Sequence, residues 1–399
     1  MSRRLGLALG IAGLVGLVVV AVAVSSSMAR PPLAAWPQFR FGPAHTGAAP
    51  YERLLTRSNV SLLQPAWTFA TGAAVWSSPA VVGNVVYVGS NDGHLYALRF
   101  SDGTVVWKAA LGGRPSAPAV VGGVAYVVAD DSRAYAFRAT TGKRLWRAQF
   151  SGSQGGFPAA PTVAGGMVYA MAPDSLTALD ARSGATRWQE QLGCFGCPVA
   201  FAHGRVYAAA ALQRENPGPD HLYALGARTG DPRWKASLRG SAGSSPAVRY
   251  GSVYVAVFVD NPSGVRPWAI AAFDAATGAR RWRTAIGRSR YLTFASPAVA
   301  GGRVVFPSTA GNLVALEAKT GRTDWSVPLA ITDSAPAIAD GVVYVGSSDD
   351  YLHAFDAMTG RELWRAATGD DVTSSPTVVN GTVLVGSDDG IVRAFRLQP

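Results

Sequence analysis

Apolar and polar positions alternate in short runs along almost the whole chain, and the runs repeat. A Pro followed by small apolar residues recurs eight times, at Pro79, Pro118, Pro161, Pro198, Pro246, Pro297, Pro336 and Pro376. After most of them comes a small turn and an alternating stretch such as Val85-Val86-Tyr87-Val88, then a polar turn such as Ser90-Asn91-Asp92-Gly93, then a third stretch such as His94-Leu95-Tyr96-Ala97-Leu98. Alternation with period two between Gly-marked turns predicts short strands. The end of each repeat is the most regular part. Ala97-Trp107, Ala136-Trp146, Ala178-Trp188, Ala224-Trp234, Ala272-Trp282, Ala315-Trp325 and Ala354-Trp364 share one spacing, with a Gly four residues before each Trp. That Gly permits the positive φ of a tight hairpin between third and fourth strands, and the Trp that follows lies on the outer strand.

A period of about forty residues with four strands per repeat predicts a β-propeller, because one four-stranded blade cannot bury both of its faces alone. The fold expected is all-β: an eight-bladed propeller of four-stranded blades. The eighth repeat ends at Ala394-Phe395-Arg396-Leu397-Gln398-Pro399 without its Trp, and an eighth Trp stands far upstream in Gln64-Pro65-Ala66-Trp67-Thr68-Phe69. The N-terminal strand is therefore expected to complete the last blade and hide the ring's open edge. Seven blades with a stray C-terminal hairpin is the alternative, and it would leave edges unpaired. Trp67, Trp107, Trp146, Trp188, Trp234, Trp282, Trp325 and Trp364 become the expected blade-docking residues.

One run breaks the pattern. Arg3 and Arg4 precede an uncharged stretch from Leu5 to Val24, long enough as a helix to cross roughly 30 Å of hydrocarbon. Residues 1–30 are thus expected to be an apolar N-terminal helix, either a retained transmembrane anchor or a signal peptide cleaved near Ser27-Met28-Ala29. Either form exports the body, which makes the protein extracytoplasmic: membrane-anchored through the helix, or secreted if it is cleaved. Residues 31–63 read as a lead-in and 64–399 as the propeller. The formal net charge is +11, of which Arg3, Arg4 and Arg30 belong to the leader. The remaining arginines are scattered singly, which argues for solubility and attraction to anionic polymers and against a nucleic-acid stripe.

The repeat A-[LF]-x-x-x-[TSD]-G-x-x-x-W resembles the tryptophan-docking repeat of the pyrroloquinoline quinone (PQQ) propellers, a family spanning quinoprotein alcohol dehydrogenases and the non-enzymatic BamB. Trp36-Pro37-Gln38-Phe39-Arg40 and His45-Thr46-Gly47 are similar to the lead-in of bacterial members. The resemblance implies the fold, while function has to be argued from the site. In the dehydrogenases it implies PQQ on the channel axis, stacked on Trp and often a vicinal Cys pair, with Arg on its carboxylates, Ca²⁺ on Glu, Asn and Asp, and an Asp as base.

Candidates for such a site are the loops ahead of each blade's Pro. They carry Trp76, Arg114, Phe157, Cys194 with Phe195, Arg288 with Arg290 and Tyr291, Asp333, and Asp370 with Asp371. Asp333 is the best-placed base. No adjacent Cys pair occurs, and only Glu215 beside Asn216 hints at a Ca²⁺ ligand set. Cys194-Phe195-Gly196-Cys197 lacks the His of a haem site. In an exported chain it is expected to form a local disulfide, with a redox pair or free thiols as alternatives. The five histidines, His45, His94, His203, His221 and His353, show no metal spacing and read as surface or turn residues. The function expected is a non-catalytic envelope module that binds proteins or cell-surface polymers, with no cofactor. The alternative is a PQQ- and Ca²⁺-dependent alcohol or sugar dehydrogenase.

Overall fold

The computed structural model describes residues 35–150, 158–192, 197–210, 220–242, 244–259 and 263–397. The expected apolar helix lies outside them, as do Phe157, Cys194, Phe195, Glu215 and Asn216. Among the described residues no helix is long and apolar enough to cross a membrane.

Eight antiparallel sheets follow one another along the chain, each built from an inner, a second, a third and an outer strand. In blade 1 these are Ala80–Val82, Val85–Ser90, His94–Arg99 and Val105–Ala110. Blade 8 takes its outer strand from the other end of the chain: Leu63–Ala70 pairs antiparallel with Ile391–Leu397, with Leu63 opposite Leu397 and Trp67 opposite Ala394. The ring closes as the displaced Trp67 predicts.

The Ala–Trp spacing acquires a mechanism at the blade interfaces. Each Ala sits directly opposite its Trp across the hairpin, as Ala97 does with Trp107, and a register shift follows immediately. The small Ala leaves room for the ring to turn towards the next blade. There Trp107 Nε1 donates to the Ala139 carbonyl at 2.7 Å, and Trp67, Trp146, Trp188, Trp234, Trp282 and Trp325 make the equivalent bond one blade on. Turn flexibility is only half of what the conserved spacing of Gly and Trp within the repeat demands. A Cβ on Gly142, at φ +68°, would come within 2.7 Å of the Trp107 ring. That Gly is therefore required by its neighbour's Trp as well as by its own backbone. Trp364 has no such Gly to meet, because blade 8 lacks that turn; it bonds the Leu63 carbonyl and packs edge-on against Phe395 instead.

The lead-in is not a separate segment. Residues 35–63 belong to the same compact unit as the blades, Leu33–Pro399. Its backbone runs around one end of the central channel and satisfies the innermost strand of blade after blade. Val81, Val120, Phe201, Val248, Val299 and Ile338 donate their amides to the carbonyls of Trp36, Pro37, Pro43, Ala44, Thr46 and Gly47. Blade 3 is served by a side chain: the Gln38 amide accepts from the Val163 N–H and donates to its carbonyl, as a strand would. Ala48–Ala49 then pairs parallel with blade 7, and Glu52 accepts the Gly381 N–H of blade 8. These inner edges would otherwise be buried and unpaired, which proteins avoid.

Turning this tightly puts Arg40, Phe41, His45 and Gly47 at positive φ, which is costly for the three non-glycine residues. Arg40 holds the path. Fully buried, it donates to the carbonyls of His45, Ser296 and Pro297, and burial brings its pKa down to about 9. His45, expected at a surface or in a turn, ends a turn with its N–H on the Gly42 carbonyl but is completely buried. Its Nε2 meets Thr162 Oγ1 at 3.1 Å, and its Nδ1 has no partner among the described residues. Burial, then the nearby Arg40 charge, lowers its pKa to about 3, so the ring is neutral. His353 departs from the surface expectation as well, buried between Asp349 and Glu362.

Candidate functional site

The opposite end of the channel is open. The loops from outer to inner strands converge there on a cavity of about 350 Å³ whose floor is Phe39 of the lead-in. Three of the candidates come together in its wall: Trp76 from the loop into blade 1, Arg114 from the loop into blade 2 and Asp333 from the loop into blade 7. The other described candidates are not part of its lining. Arg288 lies on an elongated hairpin of blade 5, opposite Pro267. The Arg290 carbonyl accepts from the Arg266 guanidinium, and Tyr291 is 63% exposed. Asp371 sits at the rim with Asp350 and Asp370, their carboxylates close enough to share an ion.

Arg114 is committed to its own loop. Its Nε donates to Asp130 Oδ2 at 2.6 Å, its backbone N–H to Asp130 Oδ1 at 2.8 Å, and its guanidinium lies 5.5 Å from the centre of the Trp76 ring. Asp333 has no such cation among the ion pairs of the described residues. Its Oδ1 accepts the Phe294 N–H at 2.9 Å. Solvent reaches the carboxylate through the mouth, yet protein atoms surround it on most sides. That loss of bulk water pushes its pKa up, and the Asp388 charge adds to the effect. Asp388, also in the wall, accepts from Thr373 Oγ1 at 2.7 Å.

Two sets of lining residues have a signal in the repeat that is easily overlooked. The residue two before several of the repeated prolines is Ser, and its Oγ accepts a backbone N–H twelve residues on: Ser77 from Gly89, Ser116 from Val128, Ser244 from Ala256, Ser334 from Gly346 and Ser374 from Gly386. These serines pin the mouth loops. The polar turn between second and third strands divides its labour by position. Its third residue is structural, reaching the side chain four residues on: Asp92 to Tyr96, Asp131 to Tyr135, Asp349 to His353 and Asp389 to Arg393. Its second residue faces the axis: Asn91 and Asp388 line the cavity, and Asp130 holds Arg114. Asp388 is the second residue of the turn Ser387-Asp388-Asp389-Gly390.

The PQQ and Ca²⁺ expectation can be set against these groups. Trp76 offers a ring, but Arg114 already lies over it. The cofactor's carboxylates need cations, while among the described residues the cavity's guanidinium is held by Asp130 and its other charged groups are Asp333 and Asp388. Ca²⁺ takes six to eight oxygens, and the one described grouping of carboxylates close enough to share an ion lies at the rim, outside the cavity lining. The described residues therefore do not fit the cofactor or its metal. Cys197, the described half of the Cys194 pair, is buried and disulfide-bonded.

No curated protein sequence matches the chain. Among solved structures it resembles BamB from Moraxella catarrhalis (TM-score 0.68, 19% identity, covering 85% of this chain and 98% of that one). It is also similar to a europium-containing methanol dehydrogenase (TM-score 0.72, 16% identity, 91% and 98% covered) and to the quinohemoprotein alcohol dehydrogenase of Comamonas testosteroni (0.70, 16%, 91% and 80%). At such identities the likeness speaks for the fold, which BamB and the dehydrogenases share. The sequence profile described as outer membrane protein assembly factor BamB matches residues 57–195, 174–335 and 325–398. Those three stretches run through all eight blades, and the chain belongs to this PQQ-like, BamB-type β-propeller family.

Proposed function

We propose that this protein is an exported, envelope-associated propeller that binds an envelope protein or cell-surface polymer through its open channel mouth and catalyses no reaction. The observation that carries the reading is the sign of the cavity. Among the described residues its cation is already paired, and the two remaining charged groups are carboxylates, which repel an anionic quinone cofactor rather than hold it. Export rests on the apolar stretch Leu5–Val24 behind Arg3 and Arg4. A retained helix would keep the propeller at the membrane, and cleavage would release it.

A PQQ-dependent dehydrogenase is the second reading, favoured by Trp76 and Asp333 sharing one cavity. The two are separated by adding PQQ and Ca²⁺ to the full-length chain in neutral detergent and recording the quinone spectrum and dye-linked oxidation of alcohols and glucose. The binding-module reading expects no retained quinone at micromolar PQQ and no turnover. Stoichiometric quinone with turnover lost in Asp333→Asn would establish the enzyme instead.

A further inference from the structure

The same cavity says what class of ligand it suits. Three aromatic rings enter its wall and floor, Phe39, Trp76 and Phe294, together with two carboxylates, Asp333 and Asp388. Neither carboxylate has a cation among the ion pairs of the described residues: Asp333 accepts from a backbone N–H and Asp388 from a hydroxyl. Both line the same cavity, and the Asp388 charge acts on Asp333. Two carboxylates in one recess, whose described cation Arg114 is already paired with Asp130, are electrostatically uncompensated. Aromatic faces beside them add to the attraction for positive charge, since a ring quadrupole is negative over its face. Outside the recess, Asp350, Asp370 and Asp371 crowd the rim of blades 7 and 8, a field that raises the local concentration of cations. The rest of the lining mixes small apolar residues, Pro115, Ala117, Pro158, Ala160 and Pro198, with hydroxyl and amide side chains such as Ser78, Asn91 and Ser375, a surface that takes the carbons of an organic cation as well as its N–H groups.

We propose that the mouth cavity binds an organic cation, an ammonium or guanidinium group, between Asp333 and Asp388 and against Phe39 and Phe294. The proposal rests on the binding-module reading above and names its ligand chemistry. The group could arrive as a small free amine or as a basic side chain of a partner polypeptide, and the cavity chemistry is the same for both.

Calorimetric titration of the full-length chain in neutral detergent tests it. The probes are agmatine, a blocked Tyr-Arg-Tyr tripeptide, and the same tripeptide with citrulline in place of Arg, which is neutral and nearly isosteric. At least one cationic probe is expected to bind about tenfold or more tighter than the citrulline peptide, the size of effect that one charged hydrogen bond gives. Tighter agmatine points to a small amine, and a tighter arginine peptide to a partner's side chain. Asp333→Asn and Asp388→Asn should each weaken binding about tenfold, while Asp102→Asn, in a turn on the opposite face, should leave it unchanged. Thermal melts of each variant confirm that the ring is intact. Citrulline binding as well as arginine, or cation binding that survives both cavity substitutions, overturns the proposal. Failure here without quinone binding leaves the binding-module reading standing, whereas quinone turnover removes that reading itself.

Discussion

The two ends of the channel handle charge in opposite ways. At the sealed end, Arg40 is wholly enclosed and spends its donors on three backbone carbonyls. His45 beside it is kept neutral by burial. At the open end, Asp333 is desolvated by its surroundings and has another carboxylate, Asp388, for a charged neighbour. Phe39 stands between the two, edge-on to His45 on one side and the floor of the cavity on the other. A buried ion whose valences are all met by backbone serves architecture. One whose neighbours leave it uncompensated is the better candidate for a ligand.

The comparison can be broken hardest by removing the seal. Deleting residues 31–70 takes away the lead-in and the outer strand of blade 8 together, leaving inner-edge amides and an open sheet edge unpaired. The expected product aggregates and shows no cooperative melt; a monomer melting like the parent would refute the closure. A finer cut is Arg40→Ala, which orphans three carbonyls while relieving a buried charge. The expected net loss is about 2–4 kcal/mol, read from the denaturant midpoint.

Proton linkage separates the ends by sign. The His45 pKa falls from 6.5 unfolded to about 3 folded, so between those values the unfolded chain binds more protons. Stability should then drop as pH falls through that window, by at most roughly 1.4 kcal/mol per pH unit. His45→Gln should flatten that slope. Asp333 behaves oppositely. Its folded pKa lies above the ordinary 3.8, raised by desolvation and Asp388, with the paired Arg114 as the other charged group of the cavity wall. The folded state holds the extra proton there, and stability falls as pH rises through the window. Because solvent reaches Asp333, Asp333→Asn should gain under about 1 kcal/mol at pH 7, the smallest of these effects.

The ring was legible because its signal is redundant: seven copies of one Ala–Gly–Trp spacing, and Trp67 standing where the C-terminus lacks its partner. The lead-in's role was not legible. Gln38 imitates a strand with its side chain, and His45 sits among residues more than a hundred positions away; neither contact leaves a local pattern. Site candidates chosen for standing just before each Pro reach the cavity wall where the loop is short, as at Trp76, Arg114 and Asp333. Where the outer strand runs on they do not, since the blade 5 strand extends through Ser289 and carries Arg288 along a hairpin away from the axis. Asp388 escaped because an Asp in a polar turn reads as a turn former, and only alignment of the turns by position separates its role from that of Asp389.

The claim that one end is sealed by the lead-in and the other open is tested most directly by amide hydrogen exchange. The amides of Val81, Val120, Val163, Phe201, Val248, Val299 and Ile338, all bonded to the lead-in, should exchange only with global unfolding. The mouth-loop amides of Gly72 and Gly112 should exchange far sooner. Exchange of the seven inner-strand amides as fast as the mouth loops would mean that the lead-in does not close the channel, and the contrast between its two ends would be lost.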